Sequence, residues 1–184
     1  MFARFYFLSN DDLLEILSQA KEVENVRPHL RKVFENLMDV TFQPDRTITA
    51  MFSGEREEIA FVTPVDPREK GVEFWMGEVE DMMFGSIRHV MKTSIDNYRE
   101  VKRTDWSLAH AGQCVLNGSQ VHWTTEVEDA IKSGKLPEYL TFLENQLLDT
   151  VALVRRKLTK LNSITLGALI TIDVHAKEVV KTLC

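Results

Sequence analysis

The strongest constraint on this chain is an apolar stripe. Leu136, Leu140, Leu143, Leu147, Val151, Val154, Leu158 and Leu161 recur at intervals of three and four residues. Side chains at that spacing share one face of an α-helix, and such a face has to be buried. A second series is Trp75, Val79, Met83, Ile87, Met91, Ile95, Tyr98 and Val101. It covers 26 positions in seven steps, about 3.7 residues per step and close to the helical period. Val115, Ser119, Trp123, Val127 and Ile131 form a third. The segment from Thr165 to Ile172 is rich in β-branched residues. Yet Leu161, Ile164, Ala168, Ile172, His175, Val179 and Leu183 keep a helical step, so a fourth helix is predicted there. Gly134 stands where a C-cap glycine belongs, and Pro137 suits a first helical turn. Gly77 and Gly85 each cost about 1 kcal/mol relative to Ala inside a helix. They are expected to admit a closely packed neighbour. Four long helices joined by few loops predict an elongated bundle.

The first third of the chain has a different pattern. Ser9 and Asp12 have capping-box spacing, ahead of a short helix carrying Leu13, Leu14, Ile16 and Leu17. A second short helix is predicted from Pro28 to Met38, with Leu30, Phe34, Leu37 and Met38 on one face. Thr47–Phe52 and Glu58–Thr63 read as strands, with turns at Pro44–Arg46 and Ser53–Glu55. Pro64 and Pro67 are expected to end the sheet. The fold class is therefore mainly α with a small antiparallel β meander of two or three strands. Residues 1–184 are read as a single segment, with short helices and the meander in 1–70 and the long-helix bundle in 71–184.

Composition narrows the function. With 22 basic and 28 acidic residues the net charge is −6, which argues against a dominant nucleic-acid role. No apolar run approaches the ~20 residues of a membrane span. Met1–Leu8 lacks the basic-then-apolar order of a signal peptide. Cys114 and Cys184 make no disulfide framework, and a reducing compartment is the simplest setting. Without a secretory signal, the sequon at Asn117–Ser119 is read as chance.

Chemistry is hard to find. Ser133-Gly134-Lys135-Leu136 resembles the end of a phosphate loop, but the upstream glycine is missing, and a helix C-cap fits better. His29, His89, His110, His122 and His175 form no pair within one helical turn. His110 and Cys114 are four apart, but a helix starts at Gly112 between them. Nothing argues for a lowered Cys114 pKa. Asp173 and His175 are two apart and point in different directions on a helix. Glu78, Glu80 and Asp81 beside Met82 and Met83 read as a solvated face beside a core face. Arg155, Arg156, Lys157 and Lys160 cluster near a helix C-terminus, where they offset its dipole or meet a partner. Trp75 and Trp123 are assigned to the core, and Trp106 to a plug at an inter-helix corner. No catalytic, cofactor-binding or metal residue is assigned.

Several stretches together resemble the dynein heavy chain in its linker region, just before the first AAA module. They are Arg4–Leu17, Val26–Asn36, Gly112–Leu116 with Gln120–Thr124, and Thr165–Ala176. They occur in the family's order across nearly the whole chain, and their wording is closer to axonemal than to cytoplasmic heavy chains. The resemblance implies a mainly helical, elongated arm that bends and straightens with the nucleotide state of the ring and delivers the power stroke along the microtubule. It implies no ATP hydrolysis in this segment, ATP and magnesium belonging to the AAA ring of the parent motor. The implied partners are the AAA ring, the rest of the linker and other dynein subunits, with no nucleic acid and no membrane. The implied location is the cytoskeleton of the cytoplasm and the ciliary axoneme. The chain is expected to start within the linker and to stop before the ATPase modules, so it lacks ring, stalk and microtubule-binding domain. Pro64–Pro67 and Ala111–Gly112 are the candidate points of bending. The family carries proline where this chain has Ala3 and Ala111, and alanine leaves φ unrestrained at a helix entry. Two other readings stay open. One is a free-standing interaction module that uses the Leu136–Leu161 stripe. The other is a small-molecule binder or enzyme with a pocket between sheet and helices.

Overall fold

A computed structural model describes residues 2–20 and 22–184. The chain divides into two compact units, Met1–His89 and Val90–Cys184. Among the described residues it is mainly α-helical with one small sheet.

The first unit opens with a 3-10 helix, Ala3–Phe7, and helix α1, Asn10–Gln19. The predicted cap is in place, because the Ser9 hydroxyl accepts the Asp12 amide at 3.1 Å. Asp12 departs from the usual box, because its carboxylate accepts a hydrogen bond from the Ser9 hydroxyl at 2.7 Å. A second 3-10 helix, Val23–His29, leads into a single turn, α2, Leu30–Val33. Strand β1 then begins at Leu37 and runs to Phe42. The helix expected to reach Met38 thus stops five residues early. Phe34 turns extended and Asn36 takes φ +59°, which Asn tolerates better than most residues. Leu37 and Met38 sit in a strand, because Leu37 pairs with Ser53. Strands β2, Ile48–Ser53, and β3, Glu58–Val65, complete an antiparallel meander in the order β1-β2-β3. The sheet outlasts its expected end at Pro64. Between the pairs Ala50–Ala60 and Ile48–Val65, β3 carries more residues than β2, and Pro64 lies in that irregular stretch of an edge strand. A proline amide has no ladder bond to lose there. Phe34, Leu30, Val40 and Ile48 meet Trp75, Met76 and Val79 in one buried cluster. Phe2 and Phe5 are buried in it as well, whereas Phe7 is exposed.

Helix α3, Val72–Asn97, carries the stripe expected of it as far as Tyr98, and Val101 is exposed beyond its end. The boundary between the units falls inside this helix. A Cβ built on Gly77 or Gly85 meets no described atom within 4 Å. Neither glycine admits a close neighbour, contrary to expectation.

The second unit contains α4, Arg103–Ala109, α5, Gly112–Ser133, α6, Leu136–Val154, and α7, Lys160–Leu183. Gly134 is the C-cap, with φ +67°, and the Lys135 amide returns to the Ala130 carbonyl at 2.9 Å. The Leu136–Leu161 stripe spans two helices, because α6 ends at Val154 and Leu161 belongs to α7. The helix predicted for the last segment is present, but it is rotated from the expected face. Its buried residues are Thr165, Leu166, Leu169, Ala176 and Val180, while Ile164 and Leu183 are exposed. Ile131 on α5 is exposed as well.

Two substitutions test this backbone. Gly77→Ala and Gly85→Ala are each expected to raise unfolding stability by up to about 1 kcal/mol in a urea titration, since helix propensity is gained with no clash. Ala111 has φ −59° and ψ 146°, and the preceding His110 is extended. Proline and its predecessor favour those angles. Ala111→Pro is therefore expected to stabilise the chain by about 0.4–1 kcal/mol, and a lowered melting temperature would contradict this reading of the junction.

Candidate functional site

The densest polar cluster among the described residues lies inside the helical second unit. Arg103, at the start of α4, has only 11% of its side chain exposed. Its Nη1 donates to Asp173 Oδ2 at 2.9 Å and to Thr150 Oγ1 at 3.0 Å. Its Nη2 donates to Asp173 Oδ1 at 2.7 Å and to Ser119 Oγ at 2.9 Å. One planar guanidinium therefore ties α4 to α5, α6 and α7. Its fork geometry matches a carboxylate in a way an ammonium cannot. Burial pushes the Asp173 carboxyl above the ordinary carboxylate range, and the facing Arg103 charge only partly pulls it back.

An aromatic cluster lies next to this node. Trp106 on α4 is fully buried and donates its indole N–H to the Ser94 carbonyl at 2.8 Å. His122 Nε2 lies 3.0 Å from the Ile95 carbonyl. The last carbonyls of α3 have no partner within the helix, so these two rings cap it. His122 also stacks on Tyr98 at 4.1 Å, and Tyr98 meets Trp106 edge-on at 4.8 Å. The Gln146 amide donates to the Tyr98 hydroxyl at 3.1 Å. Helix α5 approaches the indole closely, because a Cβ on Gly118 would lie 3.0 Å from Trp106 Cζ2.

The sequence-level candidates fall in several places. Trp106 is the corner plug that was expected, and Trp75 is core. Trp123 is only partly buried, and its indole nitrogen is buried without an acceptor. Cys114 is buried, and His110 packs near Trp106 with its pKa lowered by burial. Asp173 is taken by Arg103 rather than by His175. Glu78 pairs with Lys70 and Glu80 with Arg4, while Met82 and Met83 pack on the first unit's core. Arg155, Arg156, Lys157 and Lys160 are exposed. Ser119 of the sequon is buried and hydrogen-bonded within a helix. Sequence reasoning passed over Arg103 and Thr150. The available signal was Asp173 itself, which occupies a place in the buried series Leu166, Leu169, Asp173, Ala176 and Val180. A charge on such a stripe requires a partner.

Removing one member of a buried pair strands the other. Arg103→Met is expected to cost about 3–5 kcal/mol of stability. The double variant Arg103→Met with Asp173→Leu is expected to recover much of it, because no buried charge is then left alone. Urea unfolding of the full chain checks both, and additive losses would show that the two residues act independently.

Residues 1–94 match the family described as dynein heavy chain, N-terminal region 2. The mouse protein named dynein axonemal heavy chain 1 is 46% identical over 183 residues, covering 99% of this chain and 4% of that protein. Rat dynein axonemal heavy chain 12 is 46% identical over 183 residues, 97% of this chain and 6% of its own length. Human dynein axonemal heavy chain 3 is 43% identical over 184 residues, 99% of this chain and 4% of its own length. The chain thus spans a small fraction of these relatives. The matched family region runs through the 3-10 helices, the meander and most of α3, and on that match the chain belongs to the dynein heavy chain N-terminal region 2 family.

Proposed function

We propose that this chain is a linker segment of an axonemal dynein heavy chain. In this role it is a mechanical element that couples ATP-driven changes in the AAA ring to movement along ciliary microtubules. The observation that carries the reading is the 46% identity to axonemal heavy chain 1 over 99% of this chain. It is a similarity in both units, not in one motif. The segment hydrolyses no nucleotide in this role. Its partners are the AAA ring, the remaining linker and other subunits of the motor, and its location is the axoneme.

The physical make-up of the segment supports a load-bearing role. A lever must resist deformation between its bending points, and close-packed helices do so. The Arg103 node adds a directional tie, since any one helix that slides away leaves a buried charge short of partners. The Leu136–Leu161 stripe, which a free-standing interaction module would need on its surface, is partly or fully buried.

The test is the size of the native product. An antibody to this segment is expected to reveal a band of several hundred kDa in ciliated tissue. A product near 21.2 kDa would overturn the linker reading in favour of a free-standing protein. In the parent motor, the backbone angles at Pro64–Pro67 or Ala111–Gly112 are expected to differ between bent and straight states. Identical angles at both places would remove them as points of bending.

A further inference from the structure

A cavity of about 300 Å³ opens beside the Arg103 node, among α5, α6 and α7. Tyr98, Trp123 and Tyr139 line it with Glu126, Asp173 and His175, and no Lys or Arg does. We propose that this cavity binds a small organic ammonium ion that also carries an acceptor oxygen, such as a hydroxyl.

Three observations combine in that assignment. The first is the aromatic lining. Ring faces attract a cation through their quadrupole, most strongly in Trp, and the attraction grows where water is excluded. The second is the state of the two carboxylates. Asp173 is matched by Arg103 within the protein, so its charge is already met. Glu126 is held differently. Its Oε2 accepts the Tyr139 hydroxyl at 3.2 Å, a neutral donor. Its Oε1 meets Arg99 only at 3.5 Å, from a position 63% exposed, where solvent screens the contact. Burial first, and the neighbouring Glu126 second, push the Tyr139 phenol far above its ordinary range, which keeps it a hydrogen-bond donor. The third is Trp123. Its indole nitrogen is buried with no acceptor among the described residues. A buried N–H left unpaired is costly, and Trp123 lines the cavity, so a ligand oxygen that reaches this nitrogen would satisfy it. The volume lies at the small end of ligand cavities, which suits a compact cation.

The assignment goes beyond the linker reading and does not rest on it. Choline is the probe, and its neutral carbon isostere, dimethylbutanol, is the control. The readout is the indole N–H resonance of Trp123 in the full chain, identified by its loss in Trp123→Phe. Choline is expected to shift that resonance saturably, with affinity about tenfold above the isostere, in line with a cation over desolvated rings. Glu126→Gln is expected to weaken choline about fivefold or more and to leave the isostere unchanged. The Trp75 and Trp106 indole signals report whether that variant is folded, and the wild-type comparison decides the matter if it is not. Nα-acetyl-lysine methylamide stands in for a partner's side chain and is expected to bind more weakly than choline. Its binding more tightly would overturn the assignment to a free ligand. No saturable shift, or equal affinity for choline and its isostere, would leave a water-filled cavity and overturn the proposal.

Discussion

A guanidinium that is almost entirely out of water has to be met by acceptors from its surroundings, and here the two Nη groups are met while Nε has no partner among the described residues. Arg103 illustrates how strictly this fixes geometry. Its four Nη donor contacts lie between 2.7 and 3.0 Å, and they reach three different helices besides its own. Apolar packing alone is tolerant of small slides between helices. A bidentate pair is not, because a slide of an ångström or two turns a charged hydrogen bond into an unpaired buried charge. The register of α5, α6 and α7 against α4 is set at this point. The apolar contacts of Trp106, Val115, Leu153, Leu166 and Leu169 then fill the space around it.

The first unit is organised on another principle. Its buried residues are apolar apart from His29 and Ser86, and its ion pairs are exposed or half-buried. Arg27 forks onto Asp39, tying a 3-10 helix to β1, and Lys32 reaches Asp12 on α1. Arg4 meets Glu80 while its guanidinium lies 5.1 Å from the Phe34 ring centre. Pairs this exposed contribute little individually. The tie between sheet and helix α3 is mainly the cluster around Trp75, Met76 and Val79, with one polar addition: the Ser86 hydroxyl accepts the Val62 amide at 3.0 Å. That bond relieves an edge strand that would otherwise leave an amide unpaired beside a helix.

What the sequence disclosed follows from how locally each feature is encoded. The long helices were legible because their period is a property of consecutive residues. So was the Gly134 cap, whose αL angle is a local demand. The Pro28–Met38 helix was over-extended because Leu37 and Met38 fit a helical face as well as they fit a strand. Pairing with Ser53, sixteen positions after Leu37, decided the matter, and that is tertiary information. The buried face of α7 departs from the apolar count for a related reason. Counting apolar residues favours Ile164, Ala168 and Ile172, because Thr165 and Asp173 are polar. The chain buries Thr165 and pairs Asp173 instead, at the expense of exposing Ile164. The Arg103 node was invisible for the same cause. Its members are up to 70 residues apart, and no local pattern joins them.

These two kinds of internal bonding bear on a load-bearing role. A unit held by apolar packing and exposed pairs resists displacement through many small contacts, none of which is specific to one hydrogen-bonding register. A unit keyed by one buried ion pair yields in a single step, because its helices are either in register or leave a charge stranded. Such two-state resistance allows a small force to leave the unit unchanged and a larger one to rearrange it. The helical second unit is therefore held in register by a specific tie as well as by packing. The Ala111 corner, where no side chain caps the start of α5, lies between two helices that the node itself joins, through Arg103 on α4 and Ser119 on α5.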